Sequence, residues 1–245
     1  MAKQRKTKPG QKNLRTQNVA PKSAKSREFD QENQSIRDYI SELEKNIKLV
    51  IQYTFKKQLK QIETQVLLEP LITIEIAKEK GIIHPPRKEK FTEEKMKYSM
   101  STDFIIHFND KSVIAVDVKH TSDLSDYSLE KLEIAREYWS LKRINWVMLT
   151  ENELNSTLLY NLLKTQVFVN EDVISQANKI KGEIKNSKQV YTIKQLIEKI
   201  SKEQATQKLN IRNAIYYLLN DHFFELPVSE FLNDQSLLIQ KNEIN

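Results

Sequence analysis

The spacing of apolar residues in the N-terminal part of the chain changes from helical to strand-like. Between about residues 35 and 54, five apolar residues recur at alternating spacings of four and three, which predicts one stripe along a helix. They are Ile36, Ile40, Leu43, Ile47 and Val50. Residues 59–68 alternate in part between apolar and polar side chains and predict a strand. Residues 71–81 predict a short helix that Gly81 ends, because glycine is the usual residue just past a helix C-terminus.

The middle of the chain predicts a β-hairpin, a helix and a further strand. Residues 101–108 and 112–120 are apolar runs of strand length, separated by a polar turn over residues 109–111. Residues 128–143 predict a helix, because apolar residues line one of its faces. Residues 144–149 (INWVML) predict a buried strand, reached through that helix by a crossover. The order strand, strand, helix, strand predicts a mixed α/β core.

The C-terminal part of the chain predicts mainly helices. Four segments have helical spacing, with polar breaks between them: residues 155–167, 171–185, 191–204 and 210–220. Phe223, Phe224 and Leu226, with Pro227 after them, predict a short strand or wing.

Most of the positive charge lies at the start of the chain. Residues 1–27 hold nine lysines and arginines and no acidic residue; since the net charge of the whole chain is +6, the remainder carries −3. Such a segment cannot form an apolar core. It either contacts nucleic acid through the phosphates or serves as a solubilising extension. We therefore expect a disordered basic tail over residues 1–30, an α/β domain over residues 31–160 and a small helical domain over residues 161–245.

The composition excludes several classes of protein. The 245 residues contain no cysteine, which excludes disulfides, thiolate metal sites and a cysteine nucleophile and is compatible with a reducing compartment. With three glycines, the chain cannot form the glycine-rich phosphate loops of nucleotide-binding proteins. No apolar run approaches the ~18 residues of a membrane helix, and none follows the basic N-terminus as in a secretory signal. We expect no membrane contact.

The predicted hairpin brings two carboxylates and a lysine together. Alternate side chains of residues 112–120 face opposite sides, so Asp117 and Lys119 share the face opposite the apolar one. If the turn centres on Asp110, Asp103 lies directly opposite Asp117, with Cβ atoms about 4.5–5.5 Å apart. Like charges at that distance are unfavourable, and a divalent cation would remove the repulsion. The alternative is a solvent-exposed face on which these residues have no chemical role.

The spacing D-x13-D-x-K resembles the signature of the restriction-endonuclease-like nucleases, the PD-(D/E)xK group. This resemblance implies that Asp103 and Asp117 bind Mg²⁺, for which Mn²⁺ can substitute, and that the backbone carbonyl of Val118 adds a ligand. It implies that Lys119 orients the attacking water or stabilises charge developing on the phosphate. A bound Mg²⁺ lowers the pKa of water and polarises a phosphoryl oxygen. Chance matches to so short a pattern are common, so the resemblance to a family has to rest on longer segments.

Five longer segments resemble, in order and spacing, the TnsA family, the endonuclease subunits of heteromeric cut-and-paste bacterial transposases. They are GIIHP at 81–85, SMSTDFI at 99–105, VxVK at 116–119, LEKLExxxxYW at 129–139 and IxWxxxTxxE at 144–153. The resemblance runs from about Ser41 to about Leu163, half of the chain. Some members of the family have glutamine where this chain has Asp117.

The resemblance implies a function and its partners. The expected activity is Mg²⁺-dependent hydrolysis of phosphodiester bonds at the 5′ ends of a transposon, in the bacterial cytoplasm. The implied partners are transposon-end DNA, a TnsB-like DDE transposase that cuts and joins the 3′ ends, and a TnsC-like AAA+ ATPase. The implied fold is a restriction-endonuclease-like mixed sheet flanked by helices, followed by a winged-helix-like domain that contacts the TnsC-like partner.

A helical glutamate completes the catalytic set of the family, and Glu44 is the candidate here, as a metal ligand or a residue that positions water. It lies in SELE at residues 41–44, which resembles the S-x-L-E segment of the family. The same spacing fits a capping box, in which Ser41 begins the helix and Glu44 has a capping role alone. The stripe continues through Ile36 and Ile40, which argues against a helix start at Ser41.

Three further residues are interpreted as structural. Gln65 matches the family but is expected to support the fold, and Trp139 and Trp146 are expected to lie in the core.

Two other functions stay open. A free-standing nuclease, such as a restriction enzyme or junction resolvase, would have the same site but would cut plain DNA without partners. A scaffold subunit would bridge the transposase and the AAA+ regulator without catalysis, which the intact Asp103, Asp117 and Lys119 disfavour.

Overall fold

The computed structural model describes residues 41–84, 100–185, 189–204 and 206–240. The predicted basic tail and residues 35–40 of the predicted first helix lie outside these ranges. The helices and strands are, in chain order, α1 (Glu42–Thr54), β1 (Leu59–Leu67), α2 (Pro70–Glu79), β2 (Ser101–Phe108), β3 (Val113–Val118), α3 (Asp126–Leu141), β4 (Asn145–Leu149), α4 (Ser156–Lys164), α5 (Glu171–Lys185), β5 (Tyr191–Thr192), α6 (Ile193–Gln204), α7 (Lys208–Asn220) and β6 (Leu237–Leu238). None of the helices in the described ranges combines the length and apolar character needed to cross a bilayer.

The predicted elements are confirmed, with ends shifted by a few residues. β2 has the predicted bounds, and β1 and β3 differ from theirs by one or two residues at an end. Gly81 follows α2 with a φ of +66°, in the left-handed region that glycine adopts readily after a helix end. In the segment predicted as one helix from residue 191, Tyr191 and Thr192 instead form β5, and α6 begins at Ile193.

The start of α1 corrects the sequence interpretation. Ser41 is the N-cap, and its hydroxyl accepts a hydrogen bond from the backbone N–H of Glu44 at 3.2 Å. The expectation that the helix continues unbroken through this position is therefore wrong. A serine oxygen that satisfies one of the free N–H groups of a first turn outweighs the continuation of an apolar stripe.

The main sheet has four strands in the order β1-β2-β3-β4. β2 is antiparallel to β1 and to β3, whereas β3 and β4 are parallel and α3 connects them. The predicted crossover and the mixed α/β class are thus confirmed. The arrangement is consistent with a restriction-endonuclease-like fold.

β4 is an edge strand in the described sheet, and the prediction of a buried strand is wrong. Val147 is 39% exposed, Asn145 is exposed, and Trp146 and Met148 are half-buried. The apolar side chains of this strand are only partly buried, because among the described strands β3 alone pairs with it.

Both faces of the central hairpin are covered by helices. On one face, Phe104 and Val116 pack with Leu43 and Ile47 of α1. On the other face, Ile105 and Ala115 pack with residues of α2 and α3, among them Ile76, Ala77, Ile134 and Ala135. Strands β2 and β3 therefore lie in the centre of the domain, and polar side chains on them must find partners there.

The C-terminal part has its own core, formed by α4 to α7 and the residues that follow α7. β5 pairs with β6, which follows α7. In the segment predicted as a short strand or wing, Phe224 makes only an isolated bridge with Gln240. The winged-helix-like arrangement stays a prediction. Helix α1 belongs to both parts, because Leu49, Val50 and Tyr53 pack against this second core.

Candidate active site

The hairpin register places the two predicted aspartates side by side. Phe104 pairs with Val116 in the antiparallel ladder, and Ile105 pairs with Ala115. This is the predicted register, and its continuation by one residue brings Asp103 opposite Asp117. The Oδ2 atom of Asp103 accepts a hydrogen bond of 2.7 Å from the backbone N–H of Val118, which fixes the two strands at this point.

Asp103 and Asp117 are buried, which rules out the solvent-exposed hairpin face. Only 7% of Asp103 and 4% of Asp117 are exposed. Carboxylates are almost never this deeply buried unless they are paired or bind a cation.

Asp117 is the most strongly perturbed group of the site. Burial, together with the negative charge of Asp103, raises its pKa from an ordinary value of 3.8 to about 7. Three interactions act in the opposite direction: a hydrogen bond of 2.6 Å from the indole Nε1 of Trp146 to Oδ2, the positive charge of Lys119, and a hydrogen bond from the backbone N–H of Asp103. With a pKa close to neutral pH, Asp117 can change between its protonated and ionised forms in response to a small change in its surroundings.

Lys119 extends its ammonium group back over the end of β3. Its Nζ donates a hydrogen bond of 2.8 Å to the carbonyl oxygen of Val118 and lies 3.7 Å from Oδ2 of Asp103. The side chain is one-third exposed, so a positive charge lies at the boundary between the buried aspartates and solvent.

Glu44 reaches the same site from α1. The side-chain amide of Gln65 donates to Oε2 of Glu44 and to Oδ1 of Asp103, both at 3.1 Å. Burial, followed by the charge of Asp103, raises the pKa of Glu44. Glu44 also accepts a hydrogen bond of 2.9 Å from the hydroxyl of Ser41. Glu44 therefore takes part in the helix cap and in the site at the same time.

Gln65 and Trp146 are site residues that the sequence interpretation did not identify. Gln65 is buried and has a φ of +52°, a strained value for a non-glycine residue within a strand. Its match to the family motif was the available signal. Trp146 was expected in the core, but its ring is half-buried and its N–H is bound to Asp117. No pattern in the sequence indicates that contact, because it joins two strands through a side chain.

The donor chemistry of the site fits a divalent cation. Mg²⁺ prefers carboxylate and carbonyl oxygens, and two neighbouring aspartates that disfavour each other's charge gain from a cation between them. Within the described ranges, however, no three acidic, histidine or cysteine side chains gather as a ready-made metal-binding group. The amide of Gln65 lies between Glu44 and Asp103, and Lys119 is bound to the carbonyl of Val118. Glu44 and the Val118 carbonyl therefore stay predicted ligands.

The raised pKa values predict that stability falls as the pH rises when divalent cations are chelated. Between an unfolded pKa of 3.8 and a folded pKa of about 7, folded Asp117 keeps a proton that the unfolded chain releases. Glu44 acts in the same direction. We expect this to lower the free energy of unfolding by roughly 2–3 kcal/mol between about pH 5 and about pH 8, measured by urea unfolding in EDTA. Asp117→Asn should flatten this dependence, and an equal dependence in the variant would contradict the assignment.

Comparison with known proteins agrees with the geometry. The family described as "TnsA-like endonuclease N terminal" matches residues 56–151. The chain is also 30% identical over 152 residues to the "Transposon Tn7 transposition protein TnsA" of Escherichia coli. Residues 56–151 of this chain therefore carry a TnsA-like endonuclease domain. The resemblance drawn from the five sequence segments is confirmed.

The TnsA-like match covers three of the four predicted catalytic residues. Asp103, Asp117 and Lys119 lie inside the matched domain, and Glu44 precedes it. The similarity to the Tn7 protein covers 61% of this chain and 53% of that relative, so the chain spans about half of the relative's length.

Proposed function

We propose that this chain is the DNA endonuclease subunit of a heteromeric transposase and hydrolyses phosphodiester bonds at the 5′ ends of the transposon. The observation that supports this most directly is the buried pair Asp103 and Asp117, with the ammonium of Lys119 3.7 Å from Asp103, inside a TnsA-like endonuclease domain. A role confined to bridging other proteins gives no reason to bury two carboxylates on adjacent strands.

In the proposed reaction, the residues that would hold Mg²⁺, or Mn²⁺ in its place, are Asp103, Asp117 and Glu44, together with the backbone carbonyl of Val118. The cation, when bound, supplies the positive charge that favours ionised water and polarises the phosphoryl oxygen. Lys119 stabilises the negative charge that develops on the phosphate, because its ammonium lies at the solvent boundary of the site. Gln65 holds the carboxylates of Glu44 and Asp103 in a fixed relation through its two hydrogen bonds.

The proposed partners are transposon-end DNA, a TnsB-like DDE transposase and a TnsC-like AAA+ ATPase. The name of the Tn7 relative, a transposition protein, supports this context.

We assign the TnsC-like contact to the C-terminal part. Its helix α7 contains Arg212, whose guanidinium is bound to Asp234 at 3.0 Å. A basic residue already paired in this way favours a protein contact over direct DNA recognition.

Strand-specific cleavage by the assembled complex tests this function. The wild-type chain, its two partners and end-labelled transposon DNA should give 5′-strand cuts with Mg²⁺ and none with EDTA. Asp103→Asn should lower these cuts by more than about a hundredfold, while the 3′ cuts made by the DDE partner remain. Asp123→Asn, the same change at an exposed position beyond β3, should cut as the wild type does.

The other outcomes identify the alternative functions. Unchanged 5′ cutting by Asp103→Asn would remove the hairpin from catalysis and favour the scaffold role. Efficient cutting of plain DNA by the chain alone would favour a free-standing nuclease.

A further inference from the structure

We propose that Trp146 is a positioning residue for Asp117, whose carboxylate it orients for the divalent cation. This inference rests on the proposed function. The Nε1–H of Trp146 donates to Oδ2 of Asp117 at 2.6 Å. An indole N–H can only donate a hydrogen bond, so its partner here must be an oxygen of the carboxylate that acts as the acceptor.

The parallel ladder explains how the indole reaches this carboxylate. Trp146 pairs with Ala115, and Met148 pairs with Asp117, so the tryptophan lies two pairs behind the aspartate, on the neighbouring strand and on the same face of the sheet. The ring extends forward along the sheet by that distance. A short side chain at position 146 could not make the contact.

Packing holds the indole in place. Trp146 and Ile144 pack against the core formed by α2, α3 and the sheet. On its outer side, the indole borders a cavity of about 560 Å³ whose apolar lining includes Ile82, Leu129 and Met148. The ring is therefore supported by the core on its inner side, and from this position its N–H is presented to Asp117. This is the arrangement expected of residues that orient a metal-binding group.

Trp139 provides an internal comparison. The chain has two tryptophans, and both indole N–H groups donate a short hydrogen bond. Trp139 is buried and donates at 2.7 Å to the hydroxyl of Thr102, a neutral acceptor, whereas Trp146 donates to a carboxylate. Only the signal of Trp146 should therefore report on the charge and surroundings of Asp117.

The test follows the two indole N–H signals of the full chain, labelled with ¹⁵N-tryptophan, by NMR during a titration with MgCl₂. We expect the signal of Trp146 to move and that of Trp139 to stay. Trp146→Phe and Trp139→Phe assign the two signals. In calorimetric titrations, Trp146→Phe should need about tenfold more Mg²⁺ for half-saturation, whereas Trp139→Phe should bind as the wild type does.

A second measurement covers the case in which Trp146→Phe does not fold. Asp117→Asn, in a chain that keeps both tryptophans, should shift the signal of Trp146 without added metal, because its acceptor loses its charge.

Three results would overturn the inference. They are an unmoved Trp146 signal in Asp117→Asn, wild-type Mg²⁺ affinity in a folded Trp146→Phe, and a wild-type chain to which Mg²⁺ does not bind. The proposed function fails separately, if the assembled wild-type complex makes no 5′ cuts. With normal 5′ cutting and an unchanged Trp146→Phe, only the positioning role fails.

Discussion

Asp117→Asn is expected to abolish 5′-strand cleavage and, at the same time, to stabilise the fold. The first effect follows from the proposed role of Asp117 in binding the cation. Asparagine has a similar shape but no negative charge, so the loss should exceed about a hundredfold. The bond from Trp146 can be kept, because the amide oxygen of asparagine is also an acceptor.

The second effect follows from burial. Asp117 is 4% exposed and lies beside Asp103, and both conditions raise its pKa to about 7. Near neutral pH, folded Asp117 is therefore either ionised in an unfavourable buried position or protonated, and protonation at this pH costs free energy because the unfolded chain would release the proton. Removing the carboxylate should raise the free energy of unfolding in EDTA by on the order of 1–3 kcal/mol. Stability and activity then change in opposite directions, as is common where a site is arranged for function.

Two measurements on one preparation test both effects: strand-specific cleavage by the assembled complex, and urea unfolding in EDTA near pH 8. Asp110→Asn is the matched control, because this exposed carboxylate lies in the turn of the same hairpin and accepts hydrogen bonds from Ser112. It should leave cleavage intact and should not stabilise the fold. A variant of Asp117 that loses activity together with stability would indicate a structural role for the carboxylate.

The fold of the hairpin could be predicted because its determinants are local. A short polar turn fixes the register, and a strand alternates its side chains with a period of two residues. The pairing of Phe104 with Val116 follows from these two facts alone. The position of β4 at the edge could not be predicted in this way. Its apolar sequence fits a central or an edge strand, and only the number of neighbouring strands decides between them.

The site could be predicted in part for the same reason. Asp103, Asp117 and Lys119 lie on two paired strands, so the register brings them together. Gln65 and Trp146 enter from β1 and β4, through a left-handed backbone and a long side chain. Both contacts depend on how the strands lie next to one another in space, which the spacing of residues along the chain does not specify.

The double role of α1 also depends on tertiary packing. Its stripe predicted a single buried face, but Leu43 and Ile47 pack on the sheet, whereas Leu49 and Val50 pack on the C-terminal core. The helix that carries Glu44 is therefore held by both parts of the chain.

Lys119→Met is expected to abolish cleavage without weakening Mg²⁺ binding, which distinguishes it from Asp117→Asn. The Nζ of Lys119 lies 3.7 Å from Asp103 and is bound to the carbonyl of Val118, the predicted backbone ligand. Removing this positive charge takes away the group proposed to stabilise the phosphate, so cleavage should fall by more than about a hundredfold. The negative charge of the aspartates is then less compensated, and the affinity for Mg²⁺ should stay the same or increase.

The measurement compares calorimetric Mg²⁺ affinity with strand-specific cleavage for both variants. Lys111→Met, at an exposed lysine in the hairpin turn, controls for the loss of one positive charge from the same hairpin. It should change neither property by more than a few-fold, because exposed charges are screened by salt. If Lys119→Met instead bound Mg²⁺ much more weakly, the ammonium would be a support of the aspartates. If it cut at the wild-type rate, the charge on the phosphate would have to be stabilised by another group, and Lys119 would have no part in the chemical step.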